Sequence, residues 1–164
     1  MPASTIAALL DYEGNIEDAL KDHFSNTIAN TQILTPRVLL TTQPILTTPR
    51  VTISVSISGT NPNQTGTRPT YNTDYDSHKL GSVQLLATVR RDGAGQALGT
   101  LRGQCRQAML AATAALNSNV LPYYQIITLR EGGTTPLSDP ENDEIAAQLT
   151  YNLEFYIKPT EWPS

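Results

Sequence analysis

The sequence predicts an α+β fold: a mostly antiparallel sheet with two main helices packed on one face, in the order αββαββ. Two segments carry apolar residues at helical spacing, and four alternate apolar with polar residues at period two. Strands within each pair follow one another without an intervening helix, which favours antiparallel pairing with one wet face. A chain of 164 residues fits one domain, 1–164, whose core needs no covalent staples. Hydrophobic residues at 39% argue against global disorder.

The first helix is predicted over about residues 15–29, where Ile16, Ala19, Leu20, Phe24 and Ile28 recur on one face. Asn15 is its expected cap, with Glu17 and Asp18 complementing the positive end of the helix dipole. Residues 31–49 are Thr-rich and hold Pro36, Pro44 and Pro49, which forbid a helix and confine any strand to short or edge pieces. VTISVSIS follows, with Val51, Ile53, Val55 and Ile57 on the buried side and Gly59 as its end. From about 60 to 79 there is almost no aliphatic residue, which predicts a long functional or mobile loop. A second strand, GSVQLLATVRR, buries Val83, Leu85, Ala87 and Val89.

The second helix is predicted over 92–118, capped by Asp92, with Leu98, Leu101, Cys105, Ala108, Met109, Ala112 and Leu116 as its stripe. After Pro122 comes a third strand, YYQIITLREGG, stopped by Gly132-Gly133, and then an acidic loop over 132–144. The closing strand turns Ala147, Leu149, Tyr151, Leu153, Phe155 and Ile157 to one side, and Trp162 anchors the tail.

Composition narrows the chemistry. A net charge of −4 gives no electrostatic footprint for tight nucleic-acid binding. The lone Cys105 forbids an internal disulfide and suits a reducing compartment. No apolar run reaches membrane-spanning length, and the N-terminus lacks the basic region of a signal peptide, so the expectation is a soluble protein made inside the cell. The turn VRRDGAGQALG resembles a phosphate cradle, but Gly93 and Gly95 are followed by Leu98, and the next glycine falls one position late for the dinucleotide fingerprint. No Lys-Ser/Thr pair completes a P-loop, so a capped, loose helix start is the better reading.

Asp74, Asp76 and His78 alternate as hard ligands would, yet a metal site needs more donors and His23 is the only other histidine. SDPENDE lacks the glycine and the terminal Glu spacing of a calcium loop. Cys105 sits on an apolar stripe, unlike a nucleophile, and Asn63-Gln64-Thr65 is a glycosylation sequon with no sign of secretion. Nothing supports an enzyme, a cofactor or a bound metal. Arg90, Arg91, Arg102 and Arg106 form the one local basic concentration, with 102 and 106 sharing a helix face. They read either as a solvated face or as contacts to acidic loops of a neighbouring subunit or to phosphates passing nearby.

The order of these elements resembles the tail terminator (tail completion) proteins of long-tailed bacteriophages. The likeness runs from IEDALKDHF through PRVTISVSIS, SVQLLATVRR, GTLRGQCRQAMLAA and YYQIITLREGG to LTYNLEFYIK, with 31–49 and 60–79 as extra material. It lies in architecture and not in a signature motif. The resemblance implies a virion protein assembled in the host cytoplasm and located at the head–tail junction. Such a protein forms a homohexameric ring that caps the tail tube, stops its polymerisation and docks onto the head-side connector. DNA passes through the lumen only in transit. Ring closure is expected at sheet edges and at the 60–79 and 132–144 loops. Arg90, Arg91, Arg102, Arg106, Asp74, Asp76, Asp139, Glu141 and Asp143 are the candidate contacts to subunits or partners. The rivals are another connector or head completion protein, a tube subunit, a small-ligand domain using the 93–99 turn, and a metal hydrolase on Asp74, Asp76 and His78.

Overall fold

Helix α1 spans Tyr12–Thr27 in the computed structural model, which describes residues 10–36, 48–60, 78–90, 97–118, 124–138 and 144–157. It starts earlier than the sequence predicts because Asp11, not Asn15, is the cap: its carboxylate accepts from the Gly14 N–H at 3.2 Å. Asn15 lies inside the first turn and donates from Nδ2 to the Tyr124 hydroxyl at 2.9 Å, tying the helix to the sheet. Glu17, expected at the positive end of the helix dipole, is buried. The predicted stripe holds, with Ile16, Ala19, Leu20, Phe24 and Ile28 all in the core.

Asn30, at φ 53°, turns the chain out of α1 through the left-handed region that Asn tolerates. Strand β1 (Gln32–Leu34) follows, kept to three residues before Pro36, and pairs in parallel with β2 (Arg50–Thr60). β3 (His78–Arg90) runs antiparallel to β2, with Val55 opposite Val83. Gly81 is required here, because a Cβ at that position would lie 2.4 Å from the Ser56 carbonyl oxygen.

Helix α2 covers Leu98–Asn117 with Ala97 at its cap position and no side-chain cap bond. The expected start at Asp92 is therefore corrected: Asp92 is not the cap, and Gly93 and Gly95 lie outside the described residues. All seven positions of the predicted stripe pack into or against the core.

β4 (Tyr124–Ser138) does not stop at Gly132-Gly133. The register slips between Ile126 and Thr128 and again between Glu131 and Gly133, so the glycine pair absorbs a bulge and the strand continues. Most of the loop predicted for 132–144 is consequently strand, and Asp139, Glu141 and Asp143 fall outside the described residues. β5 (Glu144–Ile157) pairs antiparallel with both β4 and β3.

Among the described residues the sheet order is β1-β2-β3-β5-β4, antiparallel except at β1. The chain is α+β, as the periodicity predicts. Val51, Ile53, Val55, Val83, Leu85, Ala87, Leu149, Leu153 and Phe155 share the covered face and meet both helices in one core. The opposite face carries Ser54, Ser56, Gln84, Thr150 and Asn152 in adjacent registers.

Candidate functional site

A protein that assembles through its sheet must manage the sheet's edges, since an outer strand presents unpaired N–H and C=O groups. Here the edges are β1 with the part of β2 that outruns it, and β4.

On the first edge β1 pairs only with Arg50–Thr52. Odd-numbered residues of β2 turn their backbone groups toward β1, as the 2.8 Å bond from the Gln32 N–H to the Pro49 carbonyl shows. Val55, two steps past the last β1 partner's neighbour, keeps that orientation. Its N–H donates to Glu17 Oε2 at 2.9 Å, so a helix carboxylate stands where a strand carbonyl would. Glu17 is 6% exposed. Burial pushes its carboxyl above the ordinary range; the Val55 N–H opposes that shift, and the charges of Asp18 and Glu13 add to it. Thr35, immediately after β1, is also buried, and its hydroxyl has no hydrogen-bond partner among the described residues.

On the second edge Asn117, the last residue of α2, reaches Ile126. Its Nδ2 donates to the Ile126 carbonyl at 2.9 Å, and its Oδ1 accepts the Ile126 N–H at 2.8 Å. A residue in a hydrogen-bonded strand pair exchanges the same two bonds. Further along, Pro136, Arg130 and two bulges interrupt the β4 edge.

The arginine corner is divided. Arg106 donates from Nε to Glu131 Oε1 at 2.9 Å and from Nη2 to the Thr134 hydroxyl at 3.0 Å, clamping α2 to the middle of β4. That clamp lies over Tyr151, whose phenol is pushed up to about 12 by burial first and then by Glu131. Arg102, one turn earlier, is half-buried and does not join it. Arg90 stands at the far end of β3, in register with Glu144. The helix spacing brings 102 and 106 to one side, and among the described residues Arg106 alone of the two reaches an acid, one of its own chain. Arg91, Asp74 and Asp76 lie outside the described residues.

Two groups bear on the chemical rivals. Burial raises the Cys105 thiol to about 12, far from the thiolate a nucleophile needs. His78, from the DYDSH motif, is buried and holds Glu154 Oε1 through Nε2 at 2.5 Å, while its ring lies 4.6 Å from that of Tyr156. The other Glu154 oxygen accepts from the Thr128 hydroxyl at 3.5 Å. Among the described residues no group of three His, Cys, Asp or Glu side chains is placed to hold a metal ion. His23 donates from Nε2 to the Ala108 carbonyl, 2.8 Å away, as a helix-to-helix tie.

Sequence reasoning missed Glu17, Asn117 and the His78–Glu154 pair. The first had a weak signal, an acid at the position following the stripe residue Ile16; the others had none. No known protein-family model matches the chain, and no curated protein is detectably similar to it.

Proposed function

We propose that this chain is a non-enzymatic virion assembly protein, a tail terminator whose copies close into a ring, six in number by the resemblance. The ring caps the tail tube, stops its growth and joins it to the head-side connector, with DNA passing through the lumen. The observation that carries the reading is the pair of unlike sheet edges in a unit whose described elements run αβββαββ. A closed ring of identical subunits needs two different contact surfaces on each copy, not one self-complementary patch. The β1–β2 side and the bulged β4 side are such a pair, meeting through side chains and loops and not by strand-to-strand pairing. Arg106 pairs with Glu131 inside the chain, and the candidate contact charges of the ring are Arg90, Arg91, Arg102 and Arg106 with the acids at 74, 76, 139, 141 and 143.

The test is an assembly reaction. Tail tubes assembled without this chain should grow past their normal length and fail to join heads, and adding the purified protein should restore both. Tubes of normal length in its absence would contradict the terminator role. Normal tubes that nevertheless fail to join heads would indicate a connector or head completion protein.

A further inference from the structure

We propose that Glu17 and Asn117 act as strand surrogates, side chains of the helix layer that occupy the backbone of the two sheet edges and hold them shut against a strand of a second copy. Each comes from a different helix, and each meets an outward-turned backbone group of the strand at its own edge. Asn117 supplies a donor and an acceptor to one residue, the exchange a neighbouring strand would make. Glu17 supplies an acceptor at the point where β1 has ended and β2 continues. The neighbouring Thr35 hydroxyl is 2% exposed and has no partner among the described residues.

The occupant excluded is another copy of this chain. β4 has an outer edge of its own beyond the reach of Asn117, from Thr128 onward, where it pairs with β5 alone among the described strands. The β2 edge of one copy and the β4 edge of another are thus unlike and complementary, and joining them is a heterologous contact that propagates. A surrogate at each end keeps that joining from happening between free chains. The inference goes beyond the ring reading and does not depend on it.

The experiment uses the full chain as wild type, Glu17→Ala, Glu17→Gln and Asn117→Ala, with amide hydrogen exchange read residue by residue and sedimentation velocity over a hundredfold concentration range. In Glu17→Ala the Val55 amide should exchange at least tenfold faster while Val83 and Leu85 keep their protection. Species heavier than any the wild type forms should appear as concentration rises. Glu17→Gln, which retains an acceptor oxygen, should behave as wild type. Asn117→Ala should give the same pair of changes with Ile126 as the exposed amide. Faster local exchange without heavier species would overturn the proposal, leaving both side chains as satisfiers of backbone groups only. If Glu17→Ala loses protection throughout, Asn117→Ala decides: heavier species support the proposal and their absence refutes it. A wild type that forms no ring would count against the proposed function while leaving these comparisons intact.

Discussion

The two edges of the sheet are closed by the same device in different chemistry. At β4 an amide satisfies both the donor and the acceptor of Ile126, and neither bond depends on pH over the physiological range. At β2 a carboxylate satisfies one donor from a buried position, so its ionisation opposes the site it fills. The β4 edge also has bulges and Pro136 as further interruptions, and β2 carries one register shift of its own, between Ile57 and Gly59, past the point where Glu17 meets it. The two edges therefore differ in the chemistry of the side chain that meets them: a neutral amide at β4 and a titratable carboxyl at β2.

The largest expected effect comes from detaching the β2 edge without touching Glu17. Gly81→Ala should destabilise the protein by about 3 kcal/mol in urea unfolding, because the new methyl meets the Ser56 carbonyl oxygen and the β2–β3 ladder must part. A loss below about 1 kcal/mol would mean that the end of β2 is not held by that register.

Asn117→Ala and Glu17→Ala compare the edges directly. The first strands two backbone groups of Ile126 and should cost about 2 kcal/mol. The second strands one, and also removes a buried carboxylate whose ionisation opposed folding, so it should cost about 1 kcal/mol. Equal costs would erase the distinction drawn between amide and carboxylate.

The pH dependence of the two edges should differ as well. A carboxyl whose folded pKa is raised above its unfolded value contributes stability that is full below the unfolded pKa and is lost as pH rises through the folded one. Wild type should thus lose stability relative to Glu17→Gln across that interval above the ordinary glutamate range, while wild type and Asn117→Ala keep a constant difference. Parallel curves for wild type and Glu17→Gln would show that Glu17 titrates normally. The smallest effect belongs to Arg106→Ala. Its ion pair with Glu131 is well exposed on both sides, so the cost should stay below about 1 kcal/mol in thermal or urea unfolding.

What the sequence made legible was the covered face. Ile16, Leu20 and Phe24 at helical spacing, and Val83, Leu85 and Ala87 at period two, could be buried in only one way, and the two helices and the long strands follow from that. Boundaries were legible only where one residue settled them. Asp11 outcompeted Asn15 because both are good caps and the wider context chose. The Gly132-Gly133 pair looked like a stop because a bulge and a turn ask for the same residues. The edges were the least legible part. Glu17 reads as an ordinary first-turn acid until the fold places Val55 beneath it, and Asn117 reads as a helix-ending residue until β4 returns alongside. Long-range hydrogen bonds of this kind leave no periodicity to detect.

Electron microscopy of the purified full-length chain tests the central claim most directly. The account predicts closed rings of uniform size, six-fold in class averages, with a central hole wide enough for duplex DNA. A population that stays monomeric at every concentration examined and shows no ring even on isolated tail tubes would contradict it.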